Sequence, residues 1–391
     1  MRIMLVPMSP SPLILGIMSG TSCDGIDVAI LRMGNKPELV SFSEHAMPPE
    51  LHEPLLRLAA PGINEIDSMG ETANRLGRAF ADAALTAISH AGLAPSDIAA
   101  IGCHGQTIRH RPRARYPFSL QIGNPAIIAE ATGITTVSDF RSRDMAAGGE
   151  GAPLVPFAHR QVFASSEADT AVLNIGGIAN ITWLGRDGLN LGFDCGPGNM
   201  LMDALMLEMS DGRNGFDENG GLAAAGRACT ELLNTLLEHP FIRRRPPKST
   251  GREEFGGDIV ARILAWPGLS DADRMATTAA FTVRCIIESV CFLPSPPERW
   301  LVCGGGVRNG RLLNLLGEQL APTDVTSTDK AGMPPQAVEA VSFALLARQT
   351  LLGQSNTLSS VTGARHDVCG GSITPGANWP ALLQQLPTWT R

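Results

Sequence analysis

The chain has 391 residues, long enough for two domains with cores of their own, and its 44% hydrophobic and 18% charged residues make an ordinary globular composition. With 31 Lys and Arg against 38 Asp and Glu, the net charge is −7, which speaks against a nucleic-acid partner because phosphates demand a basic face. No stretch of about 18 consecutive apolar residues occurs, so no membrane span is expected.

Residues 1–12 are apolar but broken by Pro7, Pro10 and Pro12, without the apolar core of a secretion signal, and a cytoplasmic location is expected. Apolar runs over 13–18 and 25–33, joined by a polar loop at 19–24, read as a β-hairpin. Residues 63–91 carry Ile66, Met69, Ala73, Leu76, Ala79 and Phe80 at helical spacing. A short buried strand over 97–103 ends at His104 and Gly105. Residues 125–132 read as helix and 135–138 as strand. The run Ala-Ala-Gly-Gly-Glu-Gly-Ala-Pro over 146–153 stops regular structure and marks a boundary or hinge between domains 1–150 and 151–391. After it, 171–175 and 178–184 repeat the opening pattern of strand, Gly turn and strand, so each half is expected to begin alike. Helices are predicted over 221–238, 271–292, from 311, and over 335–352, with a strand at 300–302. The tail over 363–376 has strand character, and one option is that it folds back on the first domain. Alternation of strands and helices makes the fold class α/β.

Several chemical signatures are absent: the phosphate-loop pattern GxxxxGK[ST], the dinucleotide fingerprint GxGxxG after the first strand, HExxH and GxSxG. The eight cysteines form no CxxC pair, so a structural zinc is not expected and the thiols read as reduced. The basic run from Arg243 to Lys248 is short and lacks interleaved aromatics, which reads as a solvated loop. Three Gly-rich turns remain, at 19–25, 176–180 and 304–310, each at the end of an apolar strand. Together they suggest backbone cradles for nucleotide phosphates. Asp194, just before Gly196-Pro-Gly198, reads equally as a general base or as the cap of the next turn. Asp203 reads as structural, and His104 and His159 as core histidines. Arg109, Arg111, Arg113 and Arg115 fit an anion site or a solvated loop.

These segments together resemble the anhydro-N-acetylmuramic acid kinase family, nearly end to end. The resemblance runs through Gly16-Ile-Met-Ser-Gly-Thr-Ser-Cys-Asp-Gly-Ile-Asp27, Gly102-Cys-His-Gly-Gln-Thr-Ile-Arg-His-Arg-Pro112 and Ser138-Asp-Phe-Arg-Ser-Arg-Asp-Met-Ala-Ala-Gly-Gly149. It continues through Asn174-Ile-Gly-Gly-Ile-Ala-Asn180, Phe193-Asp-Cys-Gly-Pro-Gly-Asn199, Pro247-Lys-Ser-Thr-Gly-Arg-Glu253, Cys303-Gly-Gly-Gly-Val-Arg-Asn309 and Val361-Thr-Gly-Ala364.

The resemblance implies a two-domain actin-like ATPase (ribonuclease H-like) fold with a deep nucleotide cleft. It also implies an ATP- and Mg²⁺-dependent sugar kinase of cell-wall (peptidoglycan) recycling, acting on an anhydro amino sugar and forming a homodimer. Carried over residue by residue, Gly20, Thr21, Ser22, Cys23, Asp24, Gly25, Ile26 and Asp27 match the ATP-binding loop. Gly176, Gly177 and Asn180 would form a second phosphate turn, and Gly304, Gly305 and Gly306 the adenosine side. Asp194 matches the catalytic carboxylate. Arg143 is the candidate cation for the sugar's lactyl carboxylate, with Asp144 and Glu339 as hydroxyl contacts. The wider superfamily carries an Asp where this chain has Gly16, which leaves the protein partner of magnesium unassigned. Two other readings stand beside this one. One is a kinase for a plain anhydrohexose of the levoglucosan type, and the other is a nucleotide-dependent binding protein of the actin/Hsp70 type.

Overall fold

Two sheets with the same strand order organise the chain. The computed structural model describes residues 11–20, 23, 25–251 and 254–389; Thr21, Ser22 and Asp24 of the expected first phosphate turn lie outside the described residues. The strands are β1 (Leu13–Met18), β2 (Gly25–Met33), β3 (Pro37–Ala46), β4 (Ile98–Cys103), β5 (Gln106–Arg111), β6 (Phe118–Ile122), β7 (Thr136–Ser138), β8 (Thr170–Ile175), β9 (Ile178–Leu184), β10 (Asn190–Pro197), β11 (Arg299–Cys303), β12 (Val325–Ser327) and β13 (Ser372–Thr374). One sheet runs β13-β7-β4-β1-β2-β3 and the other β10-β9-β8-β11-β12, while β5 and β6 pair as a separate hairpin. In the first sheet β1, β2 and β3 form an antiparallel meander, and β4 and β7 lie parallel to β1 on its other side. In the second, β8, β9 and β10 form the meander, and β11 and β12 are the parallel strands. The likeness of the two halves, legible in sequence as two hairpins, therefore extends to whole sheets. The fold is mixed α/β and doubled, as the resemblance implies.

Two units divide the chain. One holds the described residues up to Val162 together with those from Glu339 onward, and the other is Phe163–Val338. The expected division at 150/151 thus differs from the observed one at both ends. The Gly-rich run over 146–153 is wrapped around Asp144 inside the first unit, and β13 adds an edge to that unit's sheet by pairing with β7.

The first unit packs the helix Glu65–His90 on its sheet, with Leu76, Phe80, Ala84 and Ile88 meeting Leu15, Ile17, Val28 and Ile101. Gly16 and Gly102 are register partners on β1 and β4. A Cβ at Gly16 would strike the Ala340 carbonyl, and one at Gly102 the Phe343 carbonyl, so this glycine pair lets a helix backbone lie directly on the strands. The superfamily's Asp has no room at Gly16.

The second unit is built round the helix Asp271–Ser289, which meets Phe193, Leu201, Phe241 and Phe255 in one core. The stretch Asp271–Phe292 is long and apolar enough to cross a membrane, an 18-residue window within it reaching a mean hydropathy of 1.4. It is apolar because it is a buried core helix, as its eleven buried residues show. The helix predicted over 221–238 is two, Gly221–Ala225 and Thr230–Leu237. They part at Gly226, where a Cβ would collide with the Ala272 backbone.

Candidate active site

In the first unit the turn after β1 is closed by its own groups and by the start of β5. Ser19 Oγ lies 2.8 Å from Gln106 Oε1 and 2.9 Å from the Gly25 carbonyl, and Gln106 Nε2 donates to the Gly20 carbonyl at 3.0 Å. Cys23, buried and at φ 58°, donates its N–H to the Gly20 carbonyl at 3.1 Å. Gly25, Ile26 and Asp27 already belong to β2, paired with β3, and the Ile26 side chain is in the core. Sequence reasoning passed over Gln106, although it lies within the Gly102–Pro112 motif.

A recess of about 250 Å³ opens in the same unit beyond the carboxyl ends of the parallel strands β4 and β7, lined by His104, Gly105, Ser119, Gln121, Asp139 and Ser142 among others. Ligands of open α/β sheets characteristically bind at such strand ends. His104 is buried, and burial, with Arg141 beside it, holds its pKa well below the usual histidine range. Its Nε2 therefore accepts from Arg141 Nη2 at 2.8 Å, and Arg141 Nη1 donates to the Gly151 carbonyl at 2.8 Å. Burial lowers the Arg141 pKa to about 10 against the opposing pull of Glu339 and Asp144.

Three expectations are sharpened or corrected here. Arg143 is exposed on the short helix Ser142–Ala146, and the more enclosed cation of that segment is the half-buried Arg141. Glu339 is half-buried within the field of Arg141. Asp144, expected at a sugar hydroxyl, is fully buried: Oδ1 accepts from Thr362 Oγ1 at 2.7 Å, and Oδ2 accepts from the Gly151 N–H at 2.8 Å. The arginines of 109–115 do not form a free cluster either. Arg109 pairs with Glu65 at 2.7 Å, Arg113 with Glu150 at 3.6 Å, and Arg115 lies over the Tyr116 ring.

In the second unit the pleat sets the site. Along β10 Phe193 and Cys195 point into the core, and the residue between them, Asp194, is half-exposed on the opposite face. Register places Asp194 beside Asn180, Asn180 beside Asn174 and Asn174 beside Cys303, a row across four strands at one end of the sheet. A bulge between Asp194 and Gly196 bends the strand there, a device that re-aims side chains. β10 is an edge strand, and the segment 247–250 covers it. The Asp194 N–H donates to the Lys248 carbonyl at 3.1 Å, and the Thr250 N–H donates to Asp194 Oδ2 at 2.8 Å.

The two Gly-rich turns of this unit meet beside that row. The Gly177 carbonyl accepts from the N–H groups of Gly198 and Met200, and the Gly176 carbonyl from that of Asn199. This stitches the turn to the start of the helix Met200–Met209, which also carries Asp203. Gly304, at φ 80°, lies against Asn174 and Ile175, and Gly306 against Ile175, so neither tolerates a Cβ. Gly176, Gly177 and Gly305 differ: a Cβ there would find its nearest neighbours at 3.7, 3.8 and 3.8 Å. Packing does not require glycine at these three positions.

The basic run is not the solvated loop expected. Arg243 and Arg245 are exposed, but Arg244 pairs with Glu254 at 2.8 Å and Lys248 is buried. Its sequence signal was the following Pro-Lys-Ser-Thr-Gly motif, which a count of charges ignores.

The family model described as anhydro-N-acetylmuramic acid kinase matches residues 12–376. An anhydro-N-acetylmuramic acid kinase of Xanthomonas axonopodis pv. citri is 44% identical over 370 residues, covering 93% of this chain and 98% of that one. Another, of Acidithiobacillus ferrooxidans, is 45% identical over 379 residues, covering 95% and 94%. Among solved structures, the (R)-2-hydroxyglutaryl-CoA dehydratase component A of Acidaminococcus fermentans is similar at a TM-score of 0.45 and 15% identity, covering 86% of this chain and 100% of that one. Matched along nearly its whole length, the chain belongs to the anhydro-N-acetylmuramic acid kinase family.

Proposed function

We propose that the protein uses ATP and water to convert 1,6-anhydro-N-acetylmuramic acid to N-acetylmuramic acid 6-phosphate, in peptidoglycan recycling. The observation that carries this reading is the polar row Asp194, Asn180 and Asn174 set beside the Gly176-Gly177 and Gly304–Gly306 turns. It supports a water-activating carboxylate next to a phosphate-binding backbone.

In this mechanism Asp194 takes a proton from a water that attacks C1 of the sugar. The C1–O6 bond breaks, and O6 takes the γ-phosphoryl group of ATP, leaving ADP. Attack opposite the departing oxygen gives inversion at C1. Phosphoryl transfer needs mainly positioning and neutralised charge. Bare backbone at Gly176, Gly177 and Gly305, where packing leaves room for a side chain, suits close approach of phosphate oxygens. The first turn, from Gly20 through Asp27, serves the phosphates in the same proposal. Among the described residues no three His, Cys, Asp or Glu side chains gather into a cation site, and Mg²⁺ carried by ATP would supply the neutralising charge in this reading. Arg143, with an exposed head, is the proposed partner of the lactyl carboxylate, and Glu339 of a sugar hydroxyl. A cytoplasmic homodimer belongs to this reading and is tested by fractionation and by sedimentation.

The deciding experiment incubates the purified protein with ATP, Mg²⁺ and the anhydro sugar, with levoglucosan in parallel. ADP release that requires the anhydro amino sugar, with a 6-phosphate product, supports the proposal. Equal turnover of levoglucosan, or sugar-independent hydrolysis, overturns it in favour of a plain anhydrohexose kinase or a nucleotide-dependent binding protein.

A further inference from the structure

Lys248 is a cation placed where cations are expensive. It is 2% exposed, and its Nζ lies 4.7 Å from the ring centre of Phe241, 4.9 Å from that of Phe292 and 5.6 Å from that of Phe193. All three are within the range at which an ammonium is attracted to an aromatic face. One carbonyl, that of Ile242, accepts from Nζ at 3.4 Å. A methionine of similar length would fill this cage without the cost of removing a charge from water. A charge kept here despite that cost needs a use.

What surrounds the cage supplies one. Phe193, a wall of the cage, is the residue before Asp194 on β10. The Lys248 backbone carbonyl accepts the Asp194 N–H, and two residues on, the Thr250 N–H binds Asp194 Oδ2. The far side of this short segment is tied by Glu254, which accepts from Thr250 Oγ1 at 2.9 Å and from Arg244 at 2.8 Å. Anchoring the Lys248 side chain thus fixes the stretch of backbone that orients the carboxylate.

We propose that Lys248 is a positioning residue for Asp194: its caged ammonium pins the 248–250 segment along β10, so that the Thr250 N–H stays on the carboxylate, and its positive charge favours the ionised, proton-accepting form. This rests on the reading of Asp194 as the base. The acidic groups that act on Lys248 are Cys195 and Asp194 on β10, Cys285 on the helix Asp271–Ser289, and Cys291 just beyond it. Burial lowers the Lys248 pKa and these groups oppose the shift. Burial also raises the thiols of Cys195 and Cys285, Cys195 to about 12, so these two are neutral near pH 7.

The test compares the wild type with K248M, K248R and D194N. It reads sugar-dependent ADP release across pH, KM for ATP and for the sugar, and thermal unfolding. K248M is expected to lose about 10²-fold in kcat, the scale of a misplaced catalytic group, with little change in KM for ATP. The acid limb of its kcat profile moves to higher pH, because an acid without its cation takes up a proton more readily. K248R, which keeps the charge, retains the wild-type acid limb. If K248M does not fold, K248Q, neutral but able to donate to the Ile242 carbonyl, is read in its place. A neutral variant whose acid limb does not move, or K248R and K248M equally impaired with the same pH profile, reduces Lys248 to a packing residue and overturns the proposal. Near-full turnover by D194N would remove the base itself, and this inference with it. An inactive D194N beside an unmoved limb in K248M removes only the role of Lys248.

Discussion

The Asp144 carboxylate accepts a 2.7 Å hydrogen bond from the Thr362 hydroxyl, 218 residues later in the chain. Its second oxygen binds the Gly151 N–H, and the Glu150 N–H donates to the Thr362 carbonyl at 2.8 Å. This clasp joins the Gly-rich run to the C-terminal segment of the same unit. A side chain at Gly149 would meet the carboxylate itself.

Replacing Asp144 by Ala strands the Gly151 N–H in the interior, at about 1–3 kcal/mol, and leaves the Thr362 hydroxyl only its longer 3.4 Å bond to the Leu358 carbonyl. Asp144→Asn, whose amide oxygen still accepts, is expected to lose less. Denaturant unfolding of the two variants measures the difference. Equal stability of D144A and wild type would mean that the clasp does not hold the segments together.

The glycines divide into those the fold needs and those it does not. Gly16→Ala and Gly102→Ala drive a methyl into the Ala340 and Phe343 carbonyls, an overpacking expected to cost about 1–3 kcal/mol or more. Gly176→Ala, Gly177→Ala and Gly305→Ala have room. Those three are expected to keep the wild-type melting temperature while weakening ATP use. Unchanged KM for ATP and unchanged kcat in all three would separate these turns from the phosphates.

Asp194→Asn keeps an oxygen to accept from the Thr250 N–H and gives up proton acceptance. Its kcat is expected to fall by about 10²–10⁴-fold, the usual worth of general-base assistance, with an unchanged melting temperature. Sugar-dependent ADP release measures it.

Acid should unfold the first unit partly through His159, which is fully buried and held neutral by that burial, its pKa lowered to about 3. A folded-state pKa below the unfolded value near 6.5 means that the unfolded chain binds the extra proton. The stabilisation is complete above pH 6.5 and is lost as pH falls toward 3, at about 1.4 kcal/mol per pH unit. His159→Gln removes that proton uptake, so its unfolding free energy is expected to fall less steeply across this window. Parallel pH profiles for variant and wild type would contradict the assignment.

Period and motif alone make much of this protein legible. The bounds of β1, β2 and β9 follow from apolar runs ended by Gly turns, and the family follows from long motifs in a fixed order. Asp194 stands out because a lone acid before Gly-Pro-Gly can serve few purposes. Local pattern could not give what depends on partners far along the chain. It read Arg243 to Lys248 as solvated because charge usually seeks water, yet three phenyl rings from separate segments make a place for Lys248 inside. It read 146–153 as a boundary because glycines usually break structure, yet here they make room for a buried carboxylate. The sequence by itself determined the family and the doubled α/β plan. Only the tertiary structure decided which charged groups are buried, because burial depends on which distant segments the sheets bring together.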